Sequence, residues 1–474
     1  MTQASGITRK TLPPFPRLSG RLYIFPAFIP MIDLLPWLLT LVGITASATQ
    51  LAFWKQHRHK VMAFAMVCFL GAGGVVWWED AHRPSEVEGS APVKLENFSK
   101  LTHIADLKAG DAIDKTYDSF APLWTVETKN EPLGTPVMAG DLLLTGMFEG
   151  YIEARARTNG ALLWTIKKHE PVFTNVVPLK DMAYVGEGLH TAPAAVFTAF
   201  SLPDGKPVWE RQFRSHLESP ALIDESGHRL WVGAGDESLW SLDTRDGSVL
   251  WRQKIGHIDA TPLVNDGVLY TVSWPDLSVN KSKLYALDPD SGKTKWSVDL
   301  PGRNMGSPLL GPDGVILSTT AIGEVGPQKP DDAGWAHAVS PDGKLLWTVD
   351  LHGISLPEAN VLVDKGIVIH TLKTGVIVAL SIKDGSTLWS LQLGKEIDAP
   401  SALRADSKPP LLATITADGA VSLMNAVDGT EIRRFNVKEG GYAAPVFDHD
   451  ILYISTPHSM TAYGGVHLFT HGAK

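Results

Sequence analysis

The chain has a single cysteine, Cys68, among 474 residues. That excludes an intrachain disulfide, a four-cysteine zinc site and a CxxCH haem attachment. Cationic surface is also scarce. The formal net charge is -9, and Lys and Arg are not interleaved with aromatic residues, so nothing would attract a phosphate backbone and nucleic acid is not an expected partner. No HExxH, GxSxG or phosphate-binding loop occurs. The 43 glycines and 32 prolines follow neither a collagen nor a low-complexity period; they suit a globular body with many turns. Tryptophan is plentiful, at 15. A chain of this length exceeds one ordinary core, which leaves several domains or one large repetitive architecture.

The N-terminal part is apolar. Residues Val61 to Trp78 carry no charge and are long enough to cross about 30 Å of hydrocarbon as a helix. Residues 22–54 are apolar apart from Asp33, but Pro26, Pro30 and Pro36 interrupt them, so they read as a kinked or re-entrant membrane segment. The loop between, KQHRHK at 55–60, is basic, whereas Glu79 and Asp80 follow the second segment. The positive-inside rule then puts the loop in the cytoplasm and everything after Trp78 on the exported side. Residues 1–21 read as a cytoplasmic or interfacial N-terminus, Cys68 as a buried thiol of the second span, and 79–118 as a linker.

From residue 119 onward one pattern recurs: NGALLW (159–164), DGKPVW (204–209), DGSVLW (246–251), SGKTKW (291–296), DGKLLW (342–347) and DGSTLW (384–389), with Trp four residues after Gly each time. DGTEIRR (428–434) keeps the turn but has Arg433 at the Trp position, and Trp124 in APLWTVE has the strand without the turn. The eight positions are separated by 40, 45, 42, 45, 51, 42 and 44 residues. Eight prolines share the register: Pro136, Pro178, Pro220, Pro262, Pro308, Pro357, Pro400 and Pro445. Each opens a run of short strand-like stretches, as in TPLVNDGVLYTVSW (261–274).

A unit of about 40 to 50 residues holding four short strands predicts a β-propeller blade. Proline suits the innermost strand, whose channel-facing edge needs no ladder hydrogen bond. Gly supplies a positive φ in the hairpin, and Trp124, Trp164, Trp209, Trp251, Trp296, Trp347 and Trp389 are expected to pack between blades. Trp124 lacks a preceding hairpin partner and SMTAYGG (459–465) lacks a following outer strand, so joining them completes an eighth blade. The expected architecture is all-β: an eight-bladed propeller of four-stranded blades over 119–465, closed by its N- and C-terminal strands, behind a helical membrane anchor and ahead of a tail at 466–474.

The stretches ALDPDSGKTKW (286–296) and SLDTRDGSVLW (241–251) resemble the tryptophan-docking repeat of the quinoprotein-like propellers. The resemblance covers roughly residues 119–465, and it implies one of two functions. The non-catalytic branch, typified by the BamB family of outer-membrane assembly lipoproteins, implies a protein-binding scaffold in a cell-envelope complex without a cofactor. The enzymatic branch implies a sugar or alcohol dehydrogenase holding pyrroloquinoline quinone (PQQ) and calcium. The adjacent Cys-Cys pair of many alcohol dehydrogenases is impossible here, but membrane glucose dehydrogenases of the superfamily manage without it, so that departure does not choose between the branches. More telling, the blades lack long excursions except within Trp296 to Trp347, which holds AIGEVGPQKPDDAGW (321–335). The scaffold branch therefore leads. Its expected partners are envelope or membrane proteins, and lipid through the N-terminal segments, with the propeller on the exported side of what would be the inner membrane.

Residues just before the repeat prolines should crowd one mouth of the channel: Asn175, Glu218, His257, Asp259, Arg303, Asn304, His352, Glu396, Asp398 and Tyr442. They form a candidate partner-binding rim. The oxygens of Asn175, Glu218, Asp259 and Asp398 could instead serve calcium, which takes six to eight such ligands; solvated loop residues around a polar funnel are the simpler reading, and no catalytic, cofactor or metal residue is assigned. His190, His228 and His370 show no ligand spacing and read as surface or satisfied strand residues.

Overall fold

The computed structural model describes residues 119–469 apart from 191, 276–278, 324–328, 330 and 331. The anchor segments at 22–54 and 61–78, the loop at 55–60 and the linker lie outside the described residues, among which no helix is long and apolar enough to cross a membrane.

Eight antiparallel sheets follow one another along the chain, and each is a meander. The blade around the 261–274 stretch runs Leu263–Asn265, Val268–Ser273, Lys281–Leu287, Thr294–Pro301. Blades 1 to 7 end on outer strands Leu162–Lys167, Pro207–Phe213, Val249–Lys254, Thr294–Pro301, Leu345–Asp350, Thr387–Gln392 and Glu431–Asn436. Blade 8 joins the two ends: Val446–Asp448, Ile451–Thr456 and Ser459–Gly464 are completed by Ala121–Glu127, with Trp124 opposite Ala462. The closure expected from the sequence is thus a covalently distant strand pair that removes the open edge of the ring.

Burial follows from stacking. The second and third strands of a blade have both faces covered by neighbours, so Leu142–Gly146 and Ser238–Asp243 are buried throughout, whereas the outer strand Val249–Lys254 alternates between half-buried and exposed. One apolar cluster runs from Trp231 and Leu239 of blade 3 through Tyr270 and Leu284 of blade 4 to Ile316 and Val339 of blade 5. No single four-stranded sheet could bury those faces alone.

The repeat motif works across the blade boundary. Each turn glycine has a positive φ, and a Cβ placed on it would strike the tryptophan of the preceding blade: 2.7 Å from Trp124 at Gly160, 2.5 Å from Trp209 at Gly247 and 2.7 Å from Trp251 at Gly292. The indole N–H of Trp124, Trp209, Trp251 and Trp347 donates to the backbone carbonyl three residues before that glycine, on Arg157, Thr244, Pro289 and Ile382, at 2.8–3.0 Å. Trp296 finds Pro341 in the shorter SPDG turn at 3.1 Å. Within the turn, the Asp288 carboxylate accepts the backbone N–H and hydroxyl of Ser291. The docking partner of a tryptophan is therefore the turn of the next repeat. Where Arg433 replaces Trp, the guanidinium lies over Phe120 at 5.1 Å and Phe469 at 5.5 Å, and Phe120 stacks on Tyr463, so the closing seam is held by an aromatic cluster of its own.

Because every blade is an up-and-down meander, the motif turns and the first hairpins emerge on one face of the ring. The blade-to-blade connections and the second hairpins emerge on the other. The residues before the repeat prolines lie on that second face.

Candidate functional site

Small polar side chains near the repeat prolines tie neighbouring blades into a belt. The Asn175 amide oxygen accepts from the Thr135 N–H at 2.9 Å, Ser307 Oγ from Thr261 N at 2.9 Å, and Thr135 Oγ1 from Ala444 N at 3.3 Å. Asn175 also donates to Glu358 Oε1 at 3.5 Å. That bond links the connection into blade 2 with the connection into blade 6. The protein around Glu358 desolvates its carboxyl and pushes it above the ordinary range, the Asn175 amide opposing.

The rim candidates separate into groups. His352, Glu396 and Tyr442 are exposed, and Asp398 is half-buried on the connection into blade 7. Asn304 accepts from Gly306 N at 3.3 Å. Arg303 donates to Asn280 Oδ1 at 3.2 Å and stacks on Trp274 at 4.6 Å. Glu218, His257 and Asp259 turn toward one another, together with two histidines that were not on the rim: His190, which the sequence offered only as a surface or strand residue, and His216. Of the four oxygens considered for calcium, Asn175 is engaged by Thr135 and Glu358, Glu218 and Asp259 both meet His190, and Asp398 stands on the connection into blade 7.

The histidine cluster draws on three blades. His190 lies on the second hairpin of blade 2, His216 and Glu218 on the connection from blade 2 to blade 3, His257 and Asp259 on the connection from blade 3 to blade 4. Asp259 is the hub. Its Oδ1 is 3.2 Å from His216 Nε2, and its Oδ2 is 2.8 Å from His257 Nε2 and 3.4 Å from His190 Nε2. The rings of His190 and His216 stack at 4.7 Å, and His257 meets them at 5.3 and 4.9 Å. His190 Nδ1 is 2.7 Å from Glu218 Oε1 and His216 Nδ1 is 3.2 Å from Ser215 Oγ, while His257 Nδ1 is buried without a hydrogen-bond partner. Burial works to raise the Asp259 carboxyl, but hydrogen bonds from His216 and His257 and the nearby imidazoles hold it well below the usual carboxylate range. The Glu218 contact raises His190 to about 9 against the opposing effect of burial.

The backbone makes room for these rings. Gly235 has an ordinary φ, yet a Cβ there would lie 2.4 Å from His216 Cε1, so space and not conformation requires glycine at that position. The hairpin carrying His190 is pinned beneath by a buried ion pair, Lys168 with Glu187 at 3.4 Å. Glu187 further accepts from the N–H groups of Val196 and His169, and Lys168 also bonds the Thr198 hydroxyl. Three imidazoles and two carboxylates so arranged can hold a cation or act as a hydrogen-bonded hub joining three blades.

The missed signal was in the repeat itself. HLE (216–218) and HID (257–259) set a His two residues ahead of an acid at nearly the same place before Pro220 and Pro262, which puts equivalent side chains on adjacent connections. The contribution of His190 comes from a different hairpin and has no counterpart in that spacing. His228 is exposed in blade 3, and His370 is buried in a strand of blade 6, where desolvation lowers it to about 4.

With the ring and its mouth described, comparison with known proteins assigns the family. The family model described as outer membrane protein assembly factor BamB matches residues 148–263 and 235–470, more than half of the chain. The chain belongs to the BamB family. BamB of Moranella endobia is 22% identical over 279 residues, 56% of this chain and 65% of that protein; BamB of Yersinia pestis is 25% identical over 256 residues, 48% and 61%. The chain thus spans somewhat under two thirds of the length of these curated relatives. The crystal structure of BamB from Moraxella catarrhalis superposes with a TM-score of 0.56 at 18% identity, covering 75% of this chain and 99% of that one. Quinohemoprotein alcohol dehydrogenase from Comamonas testosteroni superposes at 0.53 and 12% identity, covering 73% and 76%, so both branches of the superfamily share the ring. At these identities the structural likeness speaks to fold alone.

Proposed function

We propose that this chain is a protein-binding scaffold in a cell-envelope assembly complex. Its propeller stands on the exported side of the inner membrane, and the apolar segments at 22–54 and 61–78 hold it there. BamB-family membership carries this reading, since the matched relatives are named as outer membrane protein assembly factors. Two features support it. The eight tryptophan-register positions keep separations of 40 to 51 residues, so only the interval from Trp296 to Trp347 is extended and the other blades have no excursion to roof a substrate pocket. The exposed His352, Glu396 and Tyr442 stand on the connections between blades, on loops that a rigid ring presents to a partner.

Photo-crosslinking amino acids at positions 352, 396 and 442 of the full chain in native membranes test the proposal. A discrete adduct with one envelope protein, lost when Glu396→Lys and Tyr442→Ala are combined, is the expected result. No adduct from any of the three positions, together with dye reduction by the purified chain given PQQ, calcium and a sugar or alcohol, would replace the scaffold with the dehydrogenase.

A further inference from the structure

We propose that His190, His216, His257 and Asp259 form a binding site for one transition-metal dication of the zinc type, clamping blades 2, 3 and 4 at the mouth of the ring. One ligand atom from each residue lies within 4.8 Å of all the others. A tetrahedral zinc with ligand distances of about 2.0–2.2 Å holds its donors roughly 3.3–3.5 Å apart, so the donors need draw together only modestly. All three Nε2 atoms already stand within 3.4 Å of the Asp259 carboxylate.

The surroundings match what orients imidazole ligands. In metal sites the ring nitrogen away from the ion is commonly held by a carboxylate or another oxygen, which fixes the ring and points the other nitrogen inward. Glu218 holds His190 in that way and Ser215 holds His216. His216 and His257 are buried, whereas the His190 side chain is 54% exposed, which supplies an entry path and the freedom to close on an ion. Gly235 keeps the volume of the His216 ring open, as it would if ring position mattered.

Donor chemistry chooses the class of ion. Three imidazole nitrogens and one carboxylate suit zinc and its neighbours, whereas calcium and magnesium take oxygen shells. Four protein ligands fill a tetrahedron, the pattern of a structural site that leaves no open position for a substrate. The consequence is mechanical. The second hairpin of blade 2 and two blade-to-blade connections, which already meet through hydrogen bonds and stacked rings, would be tied to one centre, on the face that carries the candidate partner rim.

The test uses the full-length chain stripped of metal and titrated with zinc, with cobalt as a spectroscopic probe and calcium as the control. Zinc should slow hydrogen exchange selectively at residues 186–190, 214–219 and 255–260, and cobalt should give the visible absorption of a tetrahedral site; calcium should do neither. His190→Ala, at an exposed side chain, and Asp259→Asn should each weaken zinc binding at least tenfold. His228→Ala and a His57→Ala/His59→Ala pair in the basic loop should leave the protected loops unchanged. If zinc leaves exchange in those loops unaltered, or protects them equally in His190→Ala and in a His216→Ala/His257→Ala pair, the four residues are a hydrogen-bonded hub only and the proposal fails. Because these readouts are local and need no partner, their failure would leave the scaffold reading standing.

Discussion

Two glycines with the same positive φ provide a sharp test of how the blades are joined. Gly247, in the motif turn of blade 3, and Gly267, in the first hairpin of blade 4, both have φ +69. Alanine at either position pays the left-handed penalty of about 1–2 kcal/mol and gains the same reduction in unfolded-chain freedom of about 0.4–1 kcal/mol, so these effects cancel in the comparison. The surroundings do not cancel. A Cβ at Gly267 meets nothing within 4 Å, whereas at Gly247 it would lie 2.5 Å from Trp209 Cε3 and 2.6 Å from Cζ3. Trp209 is 1% exposed and is held by its N–H bond to the Thr244 carbonyl, so the ring has nowhere to retreat. Overpacking of this kind costs about 1–3 kcal/mol more. Gly247→Ala is therefore expected to lose about 2–4 kcal/mol and Gly267→Ala about 1 kcal/mol, read from hydrogen exchange of the strands Ser238–Asp243 and Val249–Lys254 against Val268–Ser273. Adding Trp209→Ala removes the obstruction, and the double variant should then be more stable than additivity predicts by about 1–3 kcal/mol. Equal losses from the two glycine variants, or strict additivity with Trp209→Ala, would refute inter-blade docking as the reason for the turn glycine.

Other consequences follow from particular buried groups. His337 and His370 are both lowered from 6.5 to about 4 by burial, so between those values the unfolded chain binds protons that the folded one refuses. Stability rises with pH in that window and is lost as pH falls from about 6.5 to about 4, by roughly 3 kcal/mol per histidine at most. Denaturant titrations of the wild type against His337→Asn and His370→Asn should show a shallower acid slope in each variant. Lys168→Met leaves Glu187 buried without its cation and should cost about 3–5 kcal/mol, seen as fast exchange at Val196 and His169, whose N–H groups Glu187 accepts. Arg433→Ala removes the guanidinium over Phe120 and Phe469 and should cost about 1 kcal/mol, with exchange accelerated in Ala121–Glu127 and not in blade 3.

The sequence alone determined the ring. A glycine with a tryptophan four residues later, repeated at 40 to 51 residues, specifies a turn and an outer strand; eight prolines in the same register specify the inner strands; and Trp124 without a turn, set against SMTAYGG without a strand, specifies the closure. These are local signals, legible because hairpins and strands are encoded within a few residues and copied in every blade. The sequence also placed Glu218, His257 and Asp259 at the mouth, since each precedes a repeat proline. Tertiary structure decided what those residues meet. That a turn glycine serves the tryptophan of the preceding repeat, and that Arg433 is answered by Phe120 and Phe469 from opposite ends of the propeller, depend on how blades stack. The convergence of His190 from one hairpin with His216, His257 and Asp259 from two later connections depends on the radial geometry that brings successive blades together at the channel. A period read along the chain reports distance in residues; the site is set by angle around the ring.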